Sequence, residues 1–217
     1  MTTRQRFSIQ AGAVLLMLAG SACGANAAQC SSSGGGFEGW KEDFASEARA
    51  HGVGEAGISA LMNTHYSTAT IGADRGQKSF KLSLDQFMKK RGASTIVARG
   101  RQLKRSQAAL FASLERRYGV PPGPLLAIWG METGFGAIHG NQHALSAVAT
   151  LAYDCRRSAY FTDQLYAALE LIDRGAISPN ARGSMHGEIG QTQFLPKNIL
   201  QYGTGGNLDN AGPALAA

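Results

Sequence analysis

The sequence predicts a mainly α-helical fold, and three observations carry that expectation. Phe161, Leu165, Ala168, Leu169 and Ile172 recur at spacings of four, three, one and three, which lays one apolar stripe along a helix. Pro121-Pro122-Gly123-Pro124 leads into Leu125 to Met131, an uncharged segment that a proline-initiated helix would carry. No run of alternating apolar and polar residues marks a sheet, and no segment repeats. At 217 residues, 44% hydrophobic and 17% charged, the chain suits one domain of ordinary size with an appendage. A disordered chain and a polytopic membrane protein are both excluded by that balance. The 28 glycines show no triplet period and read as punctuation between short elements.

The N-terminus predicts export. Arg4 and Arg6 precede an apolar run, Ala11 to Ala19, too short to span a bilayer, and Ala25-Asn26-Ala27 has the small-x-small pattern of a cleavage site. Residues 1–27 are therefore expected to be a signal peptide, with an uncleaved anchor as the alternative. Cys23, after Gly20-Ser21-Ala22, makes lipid anchoring a minor option. Removal of this segment takes two arginines and lowers the net charge from +6 to +4. It leaves Cys30 and Cys155 in an oxidising compartment, where a disulfide between them is expected and two separate thiols are the alternative. Residues 28–36, rich in Ser and Gly, are expected to be a flexible lead-in.

Helical patterning begins at residue 37. Phe37, Trp40, Phe44 and Ala48, then Ile58, Leu61 and Met62, supply the apolar faces of two short helices divided around Gly52 and Gly54. Residues 66–80 read as extended or loop. Ser83 caps a helix through Arg91 that Gly92 closes. Ser94 is expected to cap a longer one, with Ile96, Leu103, Leu110, Leu114 and Tyr118 on one side and Arg99, Arg101, Lys104 and Arg105 facing water. A basic helix of this kind invites a DNA-reading interpretation; a solvated face is the simpler one, and export argues further against nucleic acid. Leu145 to Tyr153 is helical again. Residues 183–196 form a Gly- and Gln-rich loop, and Pro196 opens a last helix ending near Gly203.

Glu132 is the residue that stands out chemically. It ends the uncharged 125–131 segment, with Ile128 four positions before it and Trp129 and Phe135 three to either side, so all four would share a helical face. Desolvation there would raise its pKa, as a general acid requires near neutral pH. A glutamate turned outward, or paired with an arginine, is the alternative. His139 and His143 are spaced for a shared metal but lack a third ligand, so no metal and no cofactor is expected.

Gly130-Met131-Glu132-Thr133-Gly134-Phe135-Gly136, preceded by Tyr118-Gly119-Val120-Pro121, resembles the catalytic segment of lytic murein transglycosylases of the B type. The resemblance continues through 147–153, Arg156-Arg157 and Tyr160-Phe161 to Gly187-Glu188-Ile189-Gly190-Gln191-Thr192-Gln193-Phe194-Leu195-Pro196, and spans about residues 37–203 in family order. It implies a lysozyme-like transglycosylase core with additional N-terminal helices over residues 37–217. It also implies cleavage of the MurNAc–GlcNAc bond of peptidoglycan to leave a 1,6-anhydro muramic end. Carried over by motif, Glu132 would be the single acid/base, Ser184 a hydroxyl touching it, Gln193 a substrate-facing amide and Phe194 part of a subsite wall. Tyr153 is added here as a sugar-stacking candidate, ahead of Tyr160 and Tyr166. Some members carry an acid-rich calcium loop after the second signature, whereas residues 204–210 hold one acid, so calcium is not expected. The resemblance further implies another helix after Ala217, which makes truncation at the C-terminus an expectation.

Two-carboxylate glycosidases pair an acid with a base or nucleophile. No second acid accompanies Glu132 in its own segment, the nearest being Glu115, Asp154 and Asp163; Glu188 is the one candidate for a second carboxylate, and a glycine-flanked loop glutamate is more often structural. A lytic transglycosylase acting as a periplasmic monomer on glycan strands is therefore the expected function, with other cell-wall enzymes as candidate partners. The alternatives are a catalytically weak peptidoglycan-binding protein and a hydrolytic muramidase that uses Glu188.

Overall fold

A computed structural model describes residues 29–76 and 81–217. The expected signal segment 1–27 and Cys23 lie outside the described residues. Eleven α-helices, one 3-10 turn at Gly34–Gly36 and one pair of two-residue strands make up the regular structure among them.

The centre is α8, Ala144–Tyr153, in which all ten residues are buried. Its sequence carries no charge, and alanines at four positions let neighbouring helices approach closely. The His143 side chain caps it by accepting from the Ser146 amide. The amphipathic α9, Ser158–Asp173, lies along α8; α2, Glu55–Met62, and α10, Pro196–Tyr202, pack on α9. Helix α1, Phe37–Ala50, closes this body with Phe37, Trp40 and Phe44. Asp173 at the end of α9 accepts from the Gly54 and Gly57 amides at 2.6 Å each, satisfying the exposed donors that open α2.

A second body forms from α4, Leu84–Lys90; α5, Ala93–Ser106; α6, Ala108–Tyr118; α7, Pro122–Thr133; and α11, Ala211–Ala216. Its core is Leu103, Phe111, Leu114, Leu126, Trp129 and Leu215. Ser83 and Gln86 form the capping box of α4. The single long helix expected from Ser94 is two helices: Gln107, at φ −116° and ψ 32°, breaks the chain and turns Phe111 and Leu114 onto the same cluster as Leu103. Gly92 rather than Ser94 precedes the first turn. Helix α11, not anticipated from sequence, contributes the buried Leu215.

Residues 66–80, read as extended, contain α3, Thr68–Arg75. Its Thr-, Gly- and Ala-rich sequence has no apolar stripe, and packing decides instead. The Ser67 side chain accepts from the Thr70 amide, and Asp74, 3% exposed, takes the Arg156 Nε at 2.6 Å and the Arg157 guanidinium. Burial alone would push the Asp74 carboxyl up, but the two guanidinium groups more than offset that and hold it below the ordinary value. The lead-in also departs from the flexible expectation. Cys30 and Cys155 are joined at 2.09 Å, Ser31 N donates to Tyr153 O at 2.9 Å, and Gly36 N donates to the Tyr153 hydroxyl.

Asp74→Asn tests this clamp. Because the folded pKa is depressed, the stabilisation is present above the unfolded value of about 3.9 and is lost as pH falls through the folded value. Urea unfolding at pH 7 should show a loss of about 1–3 kcal/mol, and the gap to wild type should close in acid. A gap that persists unchanged at pH 2 would remove the charge from the explanation.

Candidate active site

Helix α7 starts with Pro122 at its first turn and stops at Gly134, which adopts φ 58°. Its buried stripe is Leu126, Trp129, Gly130 and Thr133. Gly130 is there because a β-carbon would lie 2.5 Å from Ile96 and 2.7 Å from the Phe135 ring. Glu132 therefore lies off the buried stripe. It shares the open side of the helix with Ile128 and Met131, both exposed, and its own side chain reaches solvent. Phe135 is not on that face, because the chain turns left-handed at Gly134, Phe135 and Gly136 and folds the ring back against Trp129, 5.5 Å between centroids. Of the expected neighbours of Glu132, Ile128 shares its face, whereas the buried Trp129 and the folded-back Phe135 do not.

Two loops meet at the end of α7. The strands β1, Gln142–His143, and β2, Arg182–Gly183, pair antiparallel and join the 134–143 loop to the 183–196 loop. The joint with α7 is Gln191. Its Oε1 accepts from Trp129 Nε1 at 2.6 Å, its backbone oxygen accepts from Thr133 Oγ1 at 2.7 Å, and its side-chain nitrogen donates to Asp209 O. Gly136 must be glycine here, since at φ 81° a β-carbon would lie 2.6 Å from the Gln191 Oε1. Gln191 stands within the quoted second signature but was assigned no role from sequence; a buried Trp N–H needing an acceptor was the available signal.

The other expected site residues divide. Ser184 donates its hydroxyl to the Glu188 carboxylate and accepts from the His186 and Glu188 amides. Among the described residues no hydrogen bond links it to Glu132. Gln193, at φ 52°, directs its amide nitrogen to Gly190 O at 2.9 Å and His139 O at 3.4 Å, which braces the loop. Phe194 is half-buried on the Ala144, Leu171, Ile189 and Ile199 cluster. Tyr153 is corrected outright: at 2% exposure it packs among Phe37, Trp40 and Tyr66 and cannot stack on a sugar. Of the tyrosines weighed as sugar platforms, Tyr160, 51% exposed, is the accessible one, and with Arg157, Phe161, His186, Glu188 and Leu195 it lines a cavity of about 250 Å³. His139 and His143 bond to Gly136 O and Pro179 O.

The Glu132 carboxyl is held above its ordinary pKa. Crowding by protein atoms is the largest cause, Glu188 adds to it, and Arg91 opposes it. Arg91, from the end of α4, also donates to Met131 O. The carboxyl thus stands at a solvent-reachable but crowded position on α7. There it can be protonated when a ligand arrives and ionised afterwards.

Residues 36–212 match the transglycosylase SLT domain family. Membrane-bound lytic murein transglycosylase B of Escherichia coli (strain K12) is 38% identical over 87 residues, which are 39% of this chain and 24% of that protein. SltB3 from Pseudomonas aeruginosa, solved in complex with NAG-anhNAM-pentapeptide, superposes with a TM-score of 0.76 at 31% identity, covering 83% of this chain and 50% of SltB3. The Escherichia coli lytic transglycosylase Slt35, solved with calcium, gives a TM-score of 0.66 at 22% identity over 81% and 59% of the two chains, a likeness of fold. The chain thus spans about a quarter of the curated relative and half of SltB3.

Two outcomes follow from the geometry. Gln191→Leu should cost about 2–4 kcal/mol in urea unfolding, since it leaves the Trp129 N–H buried without an acceptor; a loss under 0.5 kcal/mol would deny Gln191 its place as the joint. In a carbon-13 titration of the Glu132 carboxyl, Arg91→Gln should move the pKa up and Glu188→Gln should move it down. Shifts in the same direction would contradict the charge arrangement.

Proposed function

The chain belongs to the transglycosylase SLT domain family, and from that premise we propose that it is a lytic murein transglycosylase that cleaves the MurNAc–GlcNAc bond of peptidoglycan and leaves a 1,6-anhydro muramic end. The observation that carries the reading is Glu132: one solvent-reachable carboxyl with a raised pKa on the open face of α7. Protonated, it donates to the glycosidic oxygen as the anomeric C–O bond breaks. As a carboxylate it then takes the proton from the muramic 6-hydroxyl, whose oxygen bonds to the anomeric carbon. The nucleophile comes from the substrate itself, so one carboxyl serves both steps, and ring closure gains from proximity. The substrate's N-acetyl oxygen shields the positive centre in between.

Ser184 acts on Glu132 at one remove in this reading, by holding the Glu188 carboxylate, whose charge adds to the upward shift that burial imposes on Glu132. Gln193 and Phe194 shape the groove floor, and Tyr160 rather than Tyr153 is the sugar platform. Residues 1–27 support export to the periplasm, with a lipid anchor at Cys23 as the second route.

The reach of Glu188 to Glu132 is the one observation that favours a hydrolytic muramidase, in which Glu188 would activate water. Mass analysis of muropeptides released from purified sacculi separates the readings. Wild type should release anhydro-muramic ends, and Glu132→Gln should lower release by about 10⁴-fold or more, because the group works in both steps. Glu188→Gln should still give anhydro ends. Reducing ends from wild type would establish hydrolysis, and binding to sacculi without release would leave a peptidoglycan-binding protein.

A further inference from the structure

Residues 81–118 carry ten Lys/Arg against two Asp/Glu, a net +8 within a chain whose total is +6, so the remaining residues sum to −2. Most of this charge stands on α4, α5 and α6, and both α5 and α6 pack on α7. Among the described residues only Lys89 of these cations has a carboxylate at ion-pair distance, Asp85. The proposed reaction uses Arg91 and leaves the rest without a task.

The surface is apolar as well as cationic. Leu84 and Met88 of α4 are 77% and 40% exposed, and Val97 of α5 is 49% exposed. Between α5 and α7 lies a groove of about 240 Å³ walled by Ile96, Val97, Leu126 and Ala127, and the exposed Arg101 and Lys104 also line it. Arg101 and Lys104 stand four and seven residues after Val97 and so fall on one stripe of α5. A hydrated anion such as a peptide-stem carboxylate would engage the cations and leave the apolar wall uncovered. An acyl chain beneath an anionic headgroup engages both.

We propose that α4–α6 dock on the surface of a bilayer containing anionic phospholipid, with an acyl chain seated between α5 and α7 and its headgroup against Arg101 and Lys104. The orientation leaves the candidate active site open. Gly123 and Ala127, on the groove side of α7, lie roughly 140–180° around the helix from Glu132 at about 100° per residue. Lipid and glycan strand would approach one helix from opposite sides. Docking of this kind is independent of the reaction at Glu132.

Co-sedimentation with vesicles of phosphatidylcholine, with and without phosphatidylglycerol, tests it. The protein should partition onto the phosphatidylglycerol vesicles alone, and less so as salt rises. Each cation near an anionic surface contributes about fivefold, so Arg101→Glu with Lys104→Glu should lower the partition at least about 25-fold. Val97→Ser, which changes no charge, should lower it several-fold. Unchanged circular dichroism and unchanged turnover of a soluble muropeptide keep the variants comparable. Equal binding to both vesicles, a charge-reversed variant that partitions like wild type, or full binding by Val97→Ser would overturn the proposal. Binding lost to sacculi but retained on vesicles would instead assign the cations to peptide-stem carboxylates.

Discussion

The hydrogen bonds at Gln191 are the constraint on which the candidate site depends. Helix α7 belongs to the second body, whose core is Leu103, Phe111, Leu114, Leu126, Trp129 and Leu215. The loop bearing Ser184 and Glu188 belongs to the first body, through Ile189 and Phe194. Gln191 bridges the two with its side chain on Trp129 and its backbone oxygen on Thr133, within four residues of Glu132. These bonds are buried, so neither partner can exchange the other for water, and the joint resists sliding more strongly than an apolar contact of similar size. Thr192 adds a further bond across the same seam, to Ala214 of α11.

That seam explains how one carboxyl gains its chemistry. Glu132 feels Arg91 from its own body and Glu188 from the other, with opposite effects on its proton. Crowding by protein atoms raises its pKa most, and the placement of the two bodies adjusts it from there. The wall beyond Glu188 is built the same way. Arg157 and His186 line the Tyr160 cavity, and both face Asp74 of α3, so a short helix remote in sequence sets the charge beside the groove.

Much of this was legible in the sequence, and the failures have physical causes. The stripe at 161–172 and the uncharged 145–153 run both appear as helices, since periodicity and burial agree there. Helix α3 escaped because Thr68, Thr70 and Gly72 have weak propensity, and its stability comes from the Asp74 ion pairs, which no local pattern encodes. The break at Gln107 was hidden because apolar residues on both sides satisfy one helical face. At the site, Glu132 keeps its expected neighbour Ile128 but not Phe135, because helical spacing does not extend through Gly134, where the backbone reverses hand. Tyr153 was chosen over Tyr160 because a sequence shows that a ring exists but not which way it faces.

The Cys30–Cys155 bond divides the chain into a covalent ring and a tail. The ring encloses α1 to α8, with Glu132 and Arg91 inside it; the tail holds α9 to α11, with Tyr160, Ser184, Glu188 and Gln191. A single protease cut in any loop of the ring would leave both fragments tied together, whereas a cut after Cys155 would release everything beyond it. The two halves of the groove thus differ in their exposure to nicking, and the half without Glu132 is the one that can be shed.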